Sequence, residues 1–320
     1  MKTRYKVFAV MFFIIVLSVV GCTSTVSQTS PTPGRTPEVD VLPTATQPVE
    51  PTPTVEPAVA IVIEMVERVN AEDYAGAAEL FADEAMVYLI GMPPTGMEIY
   101  RGKEQFRTFL EACCTGQNFV WEVTPGHVED GTVFVEAKTW MDFTRELGVA
   151  PNSFHEVFVV RDGKITLYAS TMTEEALAIF KPVLREVMPE LFEVTLPENE
   201  TPASEVTVTI ADGTCAYDGP MTLQAGELTV NVAVQDQRAE KYAVSFFTLD
   251  ADKDKIDLMA STNRSGPPSW SEMVFLKELA PNESQTYKGF YIEEGLLYMI
   301  CWAGSPDIPV GNAGPFVVKP

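Results

Sequence analysis

DGTVFVEAKTWMDFTRELGVAPNSFHEVFVVRDGKITLY, residues 130–168, decides how this chain folds. Three runs in it are rich in β-branched and aromatic residues: Thr132 to Phe143, Ser153 to Arg161 and Lys164 to Tyr168. Asp-Gly pairs stand at Asp130-Gly131 and Asp162-Gly163, with a longer loop between the first two runs. Strand formers punctuated in this way predict an antiparallel meander. Strands so long and apolar need a cover, and the helical segments on either side are placed to supply it.

Upstream, Val59, Val62, Val66 and Val69 recur at helical spacing, and Tyr74, Ala77, Ala78 and Phe81 do so again after Asn70 as cap. A short strand, Met86 to Ile90, and a Gly/Pro-rich loop lead to Gly102 and a third helix with Phe106, Phe109, Leu110 and Cys113 on its apolar face. Asn118 to Val128 precedes the meander. A closing helix follows it, with Leu177, Phe180, Leu184 and Val187 inward, Thr171 and Glu174 as a capping box and Pro182 as a kink. On the first meander strand Val133, Val135, Ala137 and Met141 alternate with Phe134, Glu136, Lys138, Trp140 and Asp142, so both faces carry apolar area. A sheet apolar on both sides needs a second covering layer, from another domain or another copy.

The order helix, helix, strand, helix, then four long strands resembles the NTF2-like superfamily, its SnoaL-like and ketosteroid-isomerase-like branches in particular. The phrases NAEDYAGAAELFADEAMVY, YRGKEQFRTFLE and FHEVFVVRDGKITLY carry the resemblance. It implies a curved antiparallel sheet wrapped on helices into a cone with an apolar pocket, pairing as a homodimer through the sheet's outer face, and in the enzymes a carboxylate base with a hydroxyl or imidazole partner. By position the catalytic candidates are Asp142 and His155, with Glu156 near them. Tyr74, Tyr88, Trp121, Trp140, Phe158 and Tyr168 are the candidate pocket residues. Strand alternation sends His155 and Glu156 to opposite faces, so one of the two looks inward.

After an acidic, Pro-containing linker at residues 196–204, the pattern turns to strands: Glu205 to Ile210, Glu227 to Asp236, Lys241 to Leu249, Gln285 to Ile292, Leu296 to Trp302 and Pro315 to Val318. It predicts an all-β sandwich over 205–320, and the whole reads as α+β. The ending LLYMICWAGSPDIPVGNAGPFVV loosely resembles cupredoxin-like or immunoglobulin-like sandwiches. Copper is excluded there, since both histidines, His127 and His155, precede the region. Asp250, Asp252 and Asp254 imitate a calcium loop that Lys255 and Ser261 break at its sixth and twelfth positions. No metal or cofactor is expected. Cys215 and Cys301 suit a disulfide between an early and a late strand, worth roughly 4 kcal/mol by loop closure. Between adjacent Cys113 and Cys114 a disulfide would strain the backbone, so Cys113 reads as core and Cys114 as packed or a free thiol.

At the other end, Lys2, Arg4 and Lys6 precede an apolar run, Val7 to Val20, of secretory length. Val19-Val20-Gly21-Cys22 resembles the lipobox of bacterial lipoproteins, which implies cleavage after residue 21 and a lipid on Cys22 that fixes the protein to the outer face of the cell membrane. Residues 22–57, rich in Pro and Thr, read as an extended tether, and 58–195 as the cone domain. The formal net charge of −23 becomes −26 without the three basic leader residues, and such a surface repels nucleic acid. These features together predict an anchored, non-enzymatic protein binding a small apolar or amphipathic ligand. Its alternatives are an isomerase, cyclase or hydrolase using a pocket carboxylate or histidine, and an envelope module binding glycan or protein through Trp270 and Trp302.

Overall fold

The computed structural model describes residues 56–193, 200–262, 266–304 and 307–320; the leader, Cys22 and the tether lie outside them. The chain enters through α1 (Pro57–Asn70), which buries the predicted stripe Val59, Val62, Val66 and Val69. Next, α2 (Tyr74–Ala78) is capped by Asp73, whose carboxylate accepts from Gly76 N at 2.9 Å. Asn70 ends α1 instead of capping α2, and Phe81 opens β1 (Phe81–Met92). The loop expected after it holds β2 (Gly96–Arg101), a hairpin partner that pairs Met92 with Gly96. Then come α3 (Gly102–Cys114), β3 (Val120–Glu129), β4 (Thr132–Trp140), a short α4 (Asp142–Glu146), β5 (Asn152–Arg161), β6 (Lys164–Met172) and α5 (Glu174–Val187). Thr173, and not Thr171, caps α5 by accepting from Ala176 N, and the helix runs through Pro182 unbroken.

These six strands form one sheet in the order β2-β1-β6-β5-β4-β3. Strands β3 to β6 are antiparallel in succession, and the turns Asp130-Gly131 (β3 to β4) and Asp162-Gly163 (β5 to β6) both hold two consecutive positive φ angles, the twist of a tight hairpin. Yet β1 runs parallel to β6, so the sheet is mixed and not wholly antiparallel. Its inner face meets α1 to α3 in a core of Val62, Met65, Phe81, Phe106, Val133 and Phe158. In α3 it is Cys114 that is buried, while Cys113 is half-buried, and their sulfurs are paired with each other.

The remaining strands build two further sheets. Four strands, β7 (Glu205–Ala211), β8 (Thr214–Asp218), β10 (Gly226–Val234) and β13 (Ser284–Ile292), join in the order β13-β10-β7-β8. Five more, β9 (Thr222–Gln224), β11 (Lys241–Leu249), β12 (Ser271–Leu279), β14 (Gly295–Gly304) and β15 (Ile308–Lys319), join as β12-β11-β14-β15-β9. A short helix, α6 (Lys255–Ala260), lies between β11 and β12. The two sheets share one apolar core and are joined by a disulfide, Cys215 on β8 to Cys301 on β14.

That core does not end at the second sheet. Met86, Tyr88, Ile90, Met97 and Ala169, on the outer face of β1, β2 and β6, belong to the same cluster as Val208, Val230, Phe246 and Met299. Tyr88 Oη donates to the carbonyl of Gly213 at 2.8 Å, and Arg101 Nη2 donates to Thr214 Oγ1 at 2.8 Å. Gly213 holds φ +70°, and a Cβ there would sit 3.0 Å from Met86 and 3.1 Å from Tyr88 Oη. The second covering layer required by a two-sided apolar sheet thus comes from the chain itself. This part of the face is therefore covered by the chain's own later strands.

Candidate active site

Alternation along β5 settles which of two neighbours faces the cone. Phe158 and Val160 are in the inner core, so Glu156 points inward with them, and His155 points out. Register brings Ser170 of β6 opposite Glu156, and Tyr168 opposite Phe158. Glu156 is 2% exposed, Tyr168 3%, Ser170 5% and Trp121, from β3, 3%. The Tyr168 hydroxyl donates to Glu156 Oε1 at 2.8 Å and the Ser170 hydroxyl to the same oxygen at 3.1 Å. Around them Tyr168 stacks on Phe158 with ring centroids 4.6 Å apart, and Phe106 and Trp121 each stand 5.8 Å from it.

Burial among these rings pushes the Glu156 carboxyl up to about 8, against the opposing pull of Tyr168, Ser170 and the Trp121 indole N–H. The Tyr168 phenol is also raised, first by burial and then by the neighbouring carboxylate. Glu156 Oε2 and Trp121 Nε1 are both buried; the indole N–H lies near enough to pull on the carboxyl, yet neither atom closes a hydrogen bond of ordinary geometry. With Oε1 accepting twice, the proton of the neutral carboxyl falls to Oε2. Oε2–H then stands as a donor without an acceptor, beside an indole N–H that is directed at the same carboxyl.

Trp121 is positioned from a distance. Asn70, at the end of α1, accepts from Trp121 N through Oδ1 at 2.7 Å and donates through Nδ2 to Trp121 O at 2.8 Å. The side-chain amide acts as an extra strand residue on β3. Asn70→Ala leaves both backbone groups unpaired, and an equilibrium urea titration is expected to show a loss of about 2 kcal/mol. Retention of full stability would show that water replaces the amide.

The predicted catalytic pair lies elsewhere. His155, its side chain 44% exposed, faces Glu136 at 2.8 Å on the outer face. Asp142 starts α4, where Asn118 Nδ2 donates to it at 2.8 Å and Arg145 stands 3.3 Å away. Neither residue reaches the cone. Tyr88 belongs to the contact with Gly213, and Trp140, half-buried at the end of β4, follows Phe134, Glu136 and Lys138 on the outward side. Trp121, Phe158 and Tyr168 are in the enclosure, and Tyr74 is buried in the helical layer over it. Trp270 and Trp302 are half-buried: Lys253 lies 5.4 Å over the Trp270 ring, and Trp302 Nε1 donates to Ser245 Oγ at 2.7 Å. They do not form free stacking platforms for a glycan. Among the described residues, no cluster of three or more His, Cys, Asp or Glu could hold a metal ion.

The family model described as a SnoaL-like domain matches residues 62–168. No match is found among curated proteins. Solved structures similar to the chain include an LEH-like epoxide hydrolase of M. tuberculosis, at 20% identity over 42% of this chain and 96% of that one, TM-score 0.31. Another is an NTF2-like protein of Cytophaga hutchinsonii, at 15% identity over 40% and 99%, TM-score 0.30. A de novo designed protein with a curved β-sheet is similar at 19% identity over 43% and 99%, TM-score 0.31. Residues 62–168 thus match the SnoaL-like domain model, and a second, β-rich region follows them.

Proposed function

We propose that this is an exported, lipid-anchored binding protein whose SnoaL-like cone holds a small, largely apolar molecule by one carbonyl or hydroxyl oxygen. A single observation carries the reading: Glu156 Oε2 and Trp121 Nε1 are buried in one aromatic enclosure, and neither closes a hydrogen bond of ordinary geometry, with each other or with any other group. Buried polar atoms in that state are rare and mark places where a ligand or water belongs. Below about pH 8 the carboxyl is neutral, so the site presents donors without a buried charge. The anchor rests on the sequence around Cys22, and the two-sheet region is read as a β-sandwich that closes the sheet's outer face.

The same carboxyl favours a second reading. A group that titrates at about 8 can hold and give a proton near neutrality, which is what a general acid or base of an isomerase, cyclase or hydrolase requires. In that case Glu156 transfers the proton, and Tyr168 and Ser170 orient it.

Native purification of the full chain, followed by solvent extraction and mass spectrometry, is expected to release a small amphipathic molecule in near-stoichiometric amount. Trp121→Phe removes one donor and should weaken retention roughly tenfold, the worth of one hydrogen bond. An empty protein, or retention untouched by the substitution, would sink the binding reading. Turnover of an epoxide, ketone or ester that vanishes in Glu156→Gln while retention persists would move the conclusion to catalysis.

A further inference from the structure

A hollow of about 270 Å³ lies on the C-terminal β region, lined by none of the residues around Glu156. Along β11, Tyr242, Val244 and Phe246 fill the shared core, so Ala243 and Ser245 face away from it. Trp302 pairs with Ala243, and both Ile300 and Leu276 pair with Ser245, so strands β14 and β12 continue this outer face. The hollow forms there, walled by Trp302, Ile300, Met273 and Leu276 and bounded by Leu258 of α6 and the prolines at 267 and 268. Met273 is 36% exposed and Leu276 43%, so apolar surface that the fold leaves unburied collects in one concavity.

The polar groups of the wall are already engaged. Trp302 Nε1 donates to Ser245 Oγ, which itself donates to Ile300 O at 3.2 Å. Ser261 Oγ donates to Asp257 O at 2.9 Å and Thr262 Oγ1 to Met259 O at 2.8 Å. A site whose hydroxyls and indole are spent internally selects by shape and apolar area. Among the described lining residues, charges sit only at the rim, where Lys241 Nζ stands 3.8 Å from Glu278 and 3.6 Å from Asp307, all half or more exposed. For scale, an apolar cavity of roughly 150 Å³ in another protein accommodates benzene.

We propose that this hollow binds the hydrocarbon part of a small amphiphile. Two fused rings or a chain of roughly eight to ten carbons fill it, with the polar end outside at the Lys241, Glu278 and Asp307 rim. The hydrocarbon comes either from a free ring compound or from a lipid chain, and the experiment separates the two.

The test uses the full chain labelled with ¹³C at the methionine methyls, titrated with naphthalene and, separately, with a ten-carbon lysophospholipid below its micelle concentration. Expected is a saturable shift of the Met273 resonance while Met65, in the cone core, stays still. Naphthalene alone producing it assigns a free ring compound; the lysophospholipid producing it more tightly assigns a lipid chain. Leu276→Asp places a charge in the wall at an exposed position and should weaken binding at least tenfold, with Met273→Gln, read by Trp302 fluorescence, as the second variant. A Met273 signal indifferent to both probes, a shift unchanged in Leu276→Asp, or movement confined to Met65 overturns the proposal.

Discussion

Glu156→Gln is expected to be more stable than the parent chain at pH 9 by on the order of 4 kcal/mol and close to it at pH 5. The sign follows from the direction of the shift. In the folded chain the carboxyl keeps its proton up to about pH 8, while in the unfolded chain it loses it near 4.5. Between those values the folded state binds one more proton than the unfolded state, so stability falls as pH rises, by about 1.4 kcal/mol per unit. Above pH 8 both states are ionised and the fall stops. Glutamine keeps the shape and cannot ionise, so this slope disappears from the variant. Urea titrations from pH 5 to 9 on both proteins read the difference directly, and the comparison cancels the general repulsion of a chain carrying a net charge of −23. Parallel curves would mean that the carboxylate is ionised and hydrated in the folded protein, which would also remove the donor on which the proposed recognition depends.

Lys181→Met is expected to cost about 3 to 5 kcal/mol, although it replaces a charge with an apolar side chain of similar length. Lys181 is only 5% exposed on α5, with Nζ 2.8 Å from Asp254 Oδ2 and 2.5 Å from Asp257 Oδ2. Both carboxylates are fixed by other duties: Asp254 caps α6 by accepting from Ile256 N at 2.9 Å, and Asp257 accepts from Asp254 N at 2.9 Å. Without the ammonium they face each other with Arg185, 2.7 Å from Asp254, as the remaining cation. Burial pushes the Asp254 carboxyl up, but Lys181 and the N–H groups of Asp257 and Ile256 outweigh it and hold it below its ordinary range. A lowered carboxyl stabilises the fold above its unfolded value of ~3.9 and loses that contribution as the pH falls below it. The variant should therefore show both a lower urea midpoint at pH 7 and a flatter acid limb below pH 4. A loss under about 1 kcal/mol would place the three charges in water.

The meander was legible because its turn chemistry and alternation are local. The same alternation placed His155 and Glu156 on opposite faces but could not rank them. Val157 and Leu167 on the outer face are as apolar as Phe158 on the inner one, because the second region packs against them. Asp142 read as the end of a strand; in the fold its N–H instead donates to Gln117 O at 2.8 Å and its carboxylate serves a short helix. Strand β12 escaped notice for a related reason. In SEMVFLKEL the outward Met273 and Leu276, both partly exposed in the wall of a hollow, interrupt any polar face. Asn70 lies 51 residues from Trp121, and Lys181 interrupts an otherwise apolar helix face; both find their partners through tertiary contacts that no periodicity encodes.

Tyr88 shows where inheritance and cooperativity part company. It lies within the 62–168 stretch shared with the family, as do Met86, Ile90 and Met97, yet all four are buried with strands that come more than a hundred residues later. Val55–Pro320 form one compact unit. The segment that matches the SnoaL-like model is thus not one that could be cut out here. Excised, it would carry a bare apolar plate into water and a tyrosine hydroxyl stripped of its carbonyl, an invitation to aggregate.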